Sequence, residues 1–298
     1  MEKNLQNIKQ EFKNKGIFYT PEILALKLKE YIDIPITEVY DPTCGQGNLL
    51  KVFDENIPKY GQELDGLELE KANQSLKNFT GVAGDTLTNP AFINKKFNCI
   101  VANYPFSIKW QPTLDKRFIE APTIPTEGKA DYAFILHILH YLSDTGIASV
   151  LNFPGILYRG NREAKIRKYI VNKNWIDKII LIPANTFVDT KIATVLIIFK
   201  KNKTTTNITF IDEELKKEQV VTLEEIKKND YNLSVNQYVF IEPIKEKIDS
   251  FSLNAKARLQ MKNKITADLN LDKMICELEG WNFKKYKQDL IKIIQDFK

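Results

Sequence analysis

Three carboxylic acids and two glycines occupy positions from which they could hold a nucleoside. Asp41 opens the loop 41–47, DPTCGQG, Glu63 follows 22 residues later, and Asp85 comes after the next apolar segment. Each acid stands at or just beyond the end of a segment that we predict to be a strand. Ligands of open α/β sheets bind beyond the carboxyl ends of the strands. A carboxylate at Glu63 can therefore accept hydrogen bonds from both ribose hydroxyls, and one at Asp85 from an adenine amine.

The loop between the first two acids favours one class of cofactor. Gly45 and Gly47 allow a sharp turn and a close approach of the backbone to a ligand. The third glycine of a dinucleotide motif and the lysine of a P-loop are missing, which disfavours phosphate-rich ligands. S-adenosylmethionine carries a ribose, an adenine and an ammonium group but no phosphate, so it is the predicted cofactor. The alternative is a tight turn without a ligand, which acids at successive strand ends disfavour.

Alternating strands and helices must position these residues. The predicted strands are 38–41, 60–65, 81–83, 98–102, 147–153, 176–182 and 193–200, with 207–211 as a further candidate. The predicted helices are 20–31 with Thr20 as N-cap, one from about Asn48, 67–78, 131–142 and 163–172. This alternation predicts an α/β fold with a doubly wound sheet. The close spacing of strands within 176–211 predicts an antiparallel edge.

Composition places the chain among globular proteins. It has 298 residues, 43% of them hydrophobic, and a formal net charge of +5, which permits an anionic partner. No apolar run has the length of a membrane span, and the polar N-terminus does not resemble a secretory signal. Three scattered cysteines predict neither disulfides nor a zinc site, so we expect a cytoplasmic protein. We predict a catalytic domain at 1–241, with a short N-terminal extension at 1–17, and a helical segment at 242–298.

Seven separated blocks carry a resemblance to a known family. They are 18–21 FYTP, 41–47 DPTCGQG, 103–106 NYPF, 130–134 ADYAF, 154–163 PGILYRGNRE, 166–168 IRK and 230–239 DYNLSVNQYV. In this order they resemble the adenine-specific DNA methyltransferases of the N-6 DNA methylase family, above all the methylation subunit of type I restriction-modification systems. The resemblance implies the class I methyltransferase fold, with a seven-stranded mixed sheet and S-adenosylmethionine as cofactor.

The resemblance also implies roles for individual residues. It implies that the cofactor is bound by Tyr19, Thr20, Asp41, Thr43, Gly45, Gly47, Glu63 and Asp85. It implies that the target adenine is bound by Asn103, Tyr104, Pro105 and Phe106. The Asn103 side-chain oxygen and the following backbone carbonyl can each accept one N–H bond from the 6-amino group, which orients its lone pair. Pro105 fixes the backbone, and Phe106 offers a ring face to the base. A base inside a duplex cannot reach such a pocket, so base flipping is implied. Taken alone, N-Y-P-F is also compatible with an ordinary strand exit.

Two departures from the family pattern leave alternatives open. Tyr104 stands where the motif usually has proline, and about 17 residues precede the first block in place of a helical domain. The first hypothesis is a methyltransferase acting on adenine in double-stranded DNA, as a type I modification subunit or a shortened relative. The alternatives are a catalytically impaired assembly subunit and a methyltransferase for RNA bases or protein glutamine. The resemblance implies a DNA specificity subunit as partner, which we expect on the C-terminal helices. We expect no metal and no membrane contact.

Three further features have two interpretations each. His137 and His140 are spaced like metal ligands, but without matching partners we interpret them as core or helix-surface residues. The basic residues of 159–168 indicate either a solvated helix face or phosphate contacts; they are Arg159, Arg162, Lys165, Arg167 and Lys168. Phe187 and Val188 lie in a loop that contributes to the base pocket in the family, or else anchors the loop.

Overall fold

The computed structural model describes residues 20–184, 193–241 and 249–296. The chain divides into two compact units, Met1–Ile241 and Glu242–Lys298. The assignment of catalysis to the first unit and of docking to the second stays a prediction. Tyr19, Phe187 and Val188 lie outside the described residues.

The first unit is built on one large mixed sheet. Its strands are β1 (Val39–Asp41), β2 (Lys59–Glu63), β3 (Phe79–Ala83), β4 (Phe97–Ala102), β5 (Leu142–Asn152), β6 (Ile176–Ile182), β7 (Thr194–Lys200), β8 (Ile208–Asp212) and β9 (Lys217–Val221). They are arranged in the order β3-β2-β1-β4-β5-β7-β6-β8-β9. All neighbouring pairs are parallel except those made by β7 and β9. The predicted α/β sheet is thereby confirmed. The prediction of an antiparallel edge within 176–211 is wrong, because the antiparallel strand β7 lies inside the sheet, between β5 and β6.

The prediction of seven strands is wrong, because the sheet of the described residues has nine. The candidate strand at 207–211 forms as β8 and pairs in parallel with β6. The chain then folds back as β9, which pairs with β8 and has four of its five residues exposed. An edge strand in contact with solvent has no apolar pattern to reveal it, so KEQVV gave no strand signal.

Helices cover the sheet on both faces. In the first unit they are α1 (Glu22–Glu30), α2 (Gly66–Ser75), α3 (Lys116–Ile119), α4 (Asp131–Tyr141), α5 (Asn161–Asn172) and α6 (Leu223–Lys228), with short 3-10 helices at Pro154–Leu157 and Val235–Gln237. Along β7, Val195, Ile197 and Phe199 belong to the core on one face. Leu196 and Ile198 belong to the core on the other face. This alternation follows from the two-residue period of a strand and explains why β7 is apolar throughout.

Two predicted helical features near the start of the first unit are wrong. Thr20 does not cap α1: the N-cap is Pro21, without a side-chain hydrogen bond, and the Thr20 hydroxyl accepts from Asn103 Nδ2 at 3.0 Å. The helix expected from Asn48 is a series of turns. Two carbonyl groups of this segment accept hydrogen bonds from lysine side chains. Lys29 Nζ donates to Val52 O at 2.6 Å, and Lys59 Nζ donates to Asp54 O at 2.7 Å.

The second unit contains the helices α7 (Ser250–Glu279) and α8 (Phe283–Asp296), in agreement with the predicted helical segment. Gly280 ends α7 in the left-handed conformation, with φ 72°. Tyr286 donates to Asp272 Oδ2 at 3.0 Å and links the two helices. Among the described residues, no helix combines the length and apolarity that crossing a bilayer requires.

Buried Arg167 joins three segments of the first unit. From α5, its Nε donates to Tyr231 O and its Nη1 to Arg159 O, both at 2.8 Å. It is 4% exposed, so it is not a surface contact for DNA. Arg159 is also engaged within the protein, in ion pairs with Asp131 and Glu163. The basic stretch is therefore partly structural, and its other members are exposed: Arg162, Lys165 and Lys168.

We predict that Arg167→Lys lowers the free energy of unfolding by roughly 2–4 kcal/mol. A lysine has one donor group where the guanidinium reaches several carbonyl oxygens, and buried acceptors left without a donor are costly. Arg162→Lys, on the exposed face of the same helix, should change stability by less than about 0.5 kcal/mol. Urea denaturation of both variants measures the difference. Equal stability of the two would contradict the structural role of Arg167.

Candidate active site

The predicted site residues gather at the carboxyl ends of β1 to β4. A cavity of about 260 Å³ opens there; among the residues that line it are Thr43, Gly45, Glu63, Asp85, Asn103 and Pro105. A pocket of about 40 Å³ shares part of this lining and adds Thr20 and Asp41. The sheet therefore brings together most of the residues that the sequence singled out. Gly47, Tyr104 and Phe106 do not line either space.

Asp41 is a buried carboxyl group, 1% exposed, at the end of β1. Its Oδ1 accepts from Thr43 N at 3.0 Å. Burial raises the pKa of Asp41 to about 7, and the negative charge of Glu63 adds to the rise, whereas the Thr43 N–H opposes it. The pocket thus contains an acid whose charge changes near neutral pH.

Glu63 orders the glycine loop. Its Oε2 accepts from Gly45 N at 2.8 Å, and its Oε1 accepts from Asp65 N at 3.0 Å. Gly45 has φ 51°, a conformation that favours glycine, while Gly47, at φ 80°, packs so closely on Leu76 that a Cβ would overlap it. Each carboxylate oxygen retains acceptor capacity toward the cavity. Gly45 therefore shapes the cavity, and Gly47 serves the packing beneath it.

The loop after β3 is held by a residue that the sequence analysis missed. Asp85 accepts from Leu87 N at 2.9 Å and from the Thr88 hydroxyl at 2.8 Å. Buried Arg117 donates to Thr86 O at 2.7 Å and to Leu87 O at 2.6 Å. Arg117 thereby fixes the loop that presents Asp85. The only signal in the sequence is an arginine two residues after Asp115, and this does not indicate burial.

Asn103 follows β4 and faces both spaces. Its Nδ2 donates to the Thr20 hydroxyl at 3.0 Å, which orients the side-chain amide. Across residues 20–184, 193–241 and 249–296, no donor contacts Asn103 Oδ1 or the carbonyl oxygen of Tyr104. Two neighbouring acceptors are thus free at the end of β4.

The side chain of Tyr104 belongs to the core. It is 1% exposed, its ring stacks on Phe134 with centroids 4.6 Å apart, and its hydroxyl donates to Asn152 Oδ1. Phe106 also packs inward, with its ring edge-on to Tyr104 and Phe153 at centroid distances of 5.8 and 5.6 Å. The bulky ring at position 104 therefore does not occupy the cavity.

The turn after Phe106 depends on a buried ion pair. Ser107 has φ 55°, and its N–H donates to Asp131 Oδ1 at 3.0 Å. Asp131, 1% exposed, also binds Arg159 Nη2 at 3.0 Å, and Arg159 Nε binds Glu163 at 2.6 Å. The blocks ADYAF and PGILYRGNRE thus hold the N-Y-P-F turn. The sequence analysis quoted both blocks without finding this role.

The large cavity also has apolar lining residues that the sequence alone did not indicate. Leu64 lies beside Glu63 and is 73% exposed, and Ile108 and Trp110 also line the cavity. Trp110 is fixed by its backbone N–H to Glu127 O at 3.0 Å and its Nε1 to Thr126 O at 2.9 Å. An exposed leucine at a cavity mouth offers a surface for a flat apolar ring.

His137 is a core residue, as the sequence analysis favoured. Its Nδ1 lies 3.0 Å from Arg117 Nη1, which can only donate, so Nε2 carries the proton toward the Tyr40 hydroxyl at 3.1 Å. Burial, followed by the charge of Arg117, lowers the pKa of His137 well below its ordinary value. Burial also lowers the pKa of His140, to about 4. The described residues contain no group of three ligands that could hold a metal ion.

We predict that Asp41 makes the protein less stable as the pH rises toward neutrality. Its pKa is about 7 in the folded chain against 3.8 for the reference group, so the unfolded chain loses this proton first. Asp41→Asn keeps an acceptor for Thr43 N–H but has no proton to lose. Its stability relative to the unmutated protein should rise between about pH 4 and about pH 7 and then level off. Urea denaturation across this range tests the effect, and parallel curves for the two proteins would contradict it.

Comparisons with known proteins agree with this geometry. The methylase subunit of the type I restriction enzyme MpnII from Mycoplasma pneumoniae is 32% identical, over 81% of this chain and 56% of its own length. The MjaVII methylase subunit from Methanocaldococcus jannaschii is 30% identical, over 78% and 51%. The solved methyltransferase subunit of a type I restriction-modification system from Streptococcus thermophilus has a TM-score of 0.67 at 28% identity, covering 75% of this chain and 59% of that one.

The chain spans about half the length of the curated relatives it matches. The model of the family described as N-6 DNA Methylase matches residues 2–220, most of the first unit. The resemblance inferred from the seven blocks is thereby confirmed. The chain belongs to the N-6 DNA methylase family.

Proposed function

We propose that this chain transfers a methyl group from S-adenosylmethionine to the 6-amino group of adenine in double-stranded DNA, as the modification subunit of a type I restriction-modification system. The observation that carries the proposal is the meeting of Glu63, Asp85 and Asn103 in one cavity. Glu63 and Asp85 suit a nucleoside. Asn103 presents a hydrogen-bond acceptor for the amino group that would receive the methyl group. Family membership and the named relatives support the same reaction.

The donor and acceptor set fits S-adenosylmethionine. Glu63 can accept from the ribose hydroxyls and Asp85 from the adenine amine, while Leu64 and Ile108 offer apolar contacts to the adenine ring. Asp41, in the adjoining pocket, can accept from the ammonium group once it is ionised. The two spaces together approach the lower end of the usual range for ligand sites, about 300–1,000 Å³. When bound, the cofactor supplies an electrophilic methyl group on its sulfonium.

Asn103 and Tyr104 would orient the amino group of the target base. Asn103 Oδ1 and the Tyr104 carbonyl oxygen can each accept one of its N–H bonds, and the Thr20 hydroxyl keeps the Asn103 amide from rotating. This geometry directs the nitrogen lone pair toward the methyl group, and preorganised dipoles of this kind stabilise the charge that develops on nitrogen. Because the proton can leave after the transfer, no strong base is needed.

Of the alternatives, the impaired assembly subunit rested on Tyr104 and on the short segment before the first block. The first of these two grounds is weakened, because the Tyr104 ring packs on Phe134 away from the cavity. Amino groups of RNA bases or of protein glutamine could enter a similar pocket. Three exposed residues of α5, Arg162, Lys165 and Lys168, favour a nucleic acid over protein glutamine because they can contact backbone phosphates. Membership of the N-6 DNA methylase family favours DNA over RNA.

The C-terminal unit is the proposed docking site of a DNA specificity subunit. Large apolar side chains lie exposed on its helices, among them Phe251 at 84% and Leu278 at 85%, and Trp281, between the helices, is 61% exposed. Exposed apolar surface of this extent is typical of a protein interface. The described residues of the first unit contain no helix or ribbon that sequence analysis identifies as a reader of base edges, which favours a separate subunit for sequence recognition.

The first test of the proposed function concerns the cofactor. Glu63→Ala removes the acceptor for the ribose hydroxyls, and hydrogen bonds to a charged group contribute about 1.5–3 kcal/mol. Affinity for S-adenosylmethionine should fall roughly ten- to a hundredfold. Glu70→Ala, an exposed acid on α2, is the matched control and should bind normally. Isothermal titration calorimetry decides, and absence of binding by the unmutated chain would refute the cofactor assignment.

The second test concerns the methyl transfer. Asn103→Ala should keep the fold and the cofactor while lowering the methylation rate about a hundred- to a thousandfold. Tyr104→Phe keeps the ring and the backbone carbonyl and loses only the bond to Asn152, so its rate should stay within a few-fold while its stability falls. Transfer of labelled methyl groups to genomic DNA, with and without a co-expressed specificity subunit, provides the measurement. Methylated bases other than adenine, or transfer to RNA or protein alone, would refute the proposal.

A further inference from the structure

A second cavity lies at the amino ends of the parallel strands, whereas the candidate active site lies at their carboxyl ends. Its volume is about 230 Å³. Lys96 directly precedes β4, Trp175 precedes β6, and Lys201 follows the antiparallel strand β7, so all three lie where the parallel strands begin. The last turn of α4, with Leu139 and His140, closes the cavity on the helical side. No residue with a proposed role in methyl transfer lines it.

The charges around this second cavity are not balanced. Lys96, Lys116 and Lys201 line it together with one acid, Glu120. Arg117 also reaches it, but its charge is paired with Asp115 at 2.5 Å. In the described part of the chain none of the three lysines forms an ion pair with a carboxylate: Lys96 Nζ donates to His140 O, and Lys201 Nζ to Leu142 O at 2.8 Å. The second cavity therefore carries a surplus of positive charge, which favours the binding of an anion.

Lys96 and Lys116 are exposed and Lys201 is partly buried, so solvent screens part of this surplus but not all of it. Burial lowers the pKa of both Lys96 and Lys201, and for Lys201 the charge of Lys96 lowers it further. Asp144 and Glu120 oppose these shifts without overcoming them. His140, whose pKa is lowered to about 4, is neutral at pH 7 and adds no charge. An anion between the ammonium groups would relieve the repulsion and restore their ordinary titration.

The shape of the second cavity favours a compact ligand. Leu136, Leu139 and Ala121 form a buried apolar floor, and Tyr169 and Trp175 form one side. Lys201 Nζ already lies 5.6 Å from the Trp175 ring, so that face is occupied by a cation. A small anion fits this space better than a nucleotide with its base.

We infer that this second cavity binds a compact anion with one or two phosphoryl groups, orthophosphate or pyrophosphate, between Lys96, Lys116 and Lys201. Ammonium groups bind phosphate oxygens through short charge-assisted hydrogen bonds. DNA bound for methylation would lie at the carboxyl ends of the strands, whereas this second cavity lies at their amino ends. The site is therefore separate from the proposed function and does not depend on it.

The test is calorimetric titration of the full chain with orthophosphate and with pyrophosphate at constant ionic strength. We expect saturable binding that Lys96→Gln and Lys201→Gln each weaken by at least about tenfold. Lys228→Gln, an exposed lysine at the end of α6, removes the same charge elsewhere and should leave binding unchanged. Glutamine can still donate to the backbone carbonyl, and thermal melting by circular dichroism verifies that each variant is folded.

Three results would overturn the inference. The first is no saturable binding of either anion to the unmutated chain. The second is equal weakening in Lys201→Gln and Lys228→Gln, which would indicate a general effect of net charge. The third is displacement of pyrophosphate by a short DNA duplex, which would assign the cavity to a nucleic acid. Binding that depends on Lys96 and Lys201 and is unaffected by duplex DNA supports it.

Discussion

The buried ring of Tyr104 holds the backbone of the candidate active site in place, and its hydroxyl donates to Asn152 in the core. The ring stacks on Phe134 from α4, so the residue at the end of β4 is fixed by contacts to a neighbouring strand and to a helix. Asn103 immediately before it is held from the other side by Thr20. Two acceptors, one from a side chain and one from the backbone, are thereby held side by side without a proline at position 104. The residue type at this position matters to the core, whereas the proposed chemistry uses its backbone.

Arg117 provides a comparable constraint for the cofactor side. One buried guanidinium binds the carbonyl groups of Thr86 and Leu87, the ring of His137 and the carboxylate of Asp115. The loop after β3 is not part of the sheet. The hydrogen bonds from Arg117 therefore hold it in place, as hydrogen bonds between neighbouring strands hold a strand. The position of Asp85 thus rests on a side chain from a four-residue helix. The same arginine lines the lysine-lined second cavity, so one side chain holds the loop that presents Asp85 and borders that cavity.

Much of the fold could be predicted from local pattern, because buried strands and helices carry it in their residues. The continuous apolar run of β7 and the alternation of strands with helices are of this kind. Glu63 and Asp85 could be placed near strand ends from the same pattern, and both line the large cavity, while their role in cofactor binding stays a prediction. Thr20 could not be assigned correctly, since its hydroxyl serves a residue 83 positions away rather than its own helix. Arg117 and Arg159 were missed for the same reason, because only the tertiary structure determines that a charged side chain is buried.

The strand β9 has a consequence for the behaviour of the chain at high concentration. Without it, β8 would form the edge of the sheet, and β8 contains the buried residues Ile208 and Phe210. An unpaired edge of that composition is a template for pairing with another molecule and for aggregation. The exposed residues Lys217, Glu218 and Gln219 present a charged and polar margin instead. The strand β9 therefore protects this edge of the sheet from aggregation, a task unconnected with the proposed reaction at the carboxyl ends of β1 to β4.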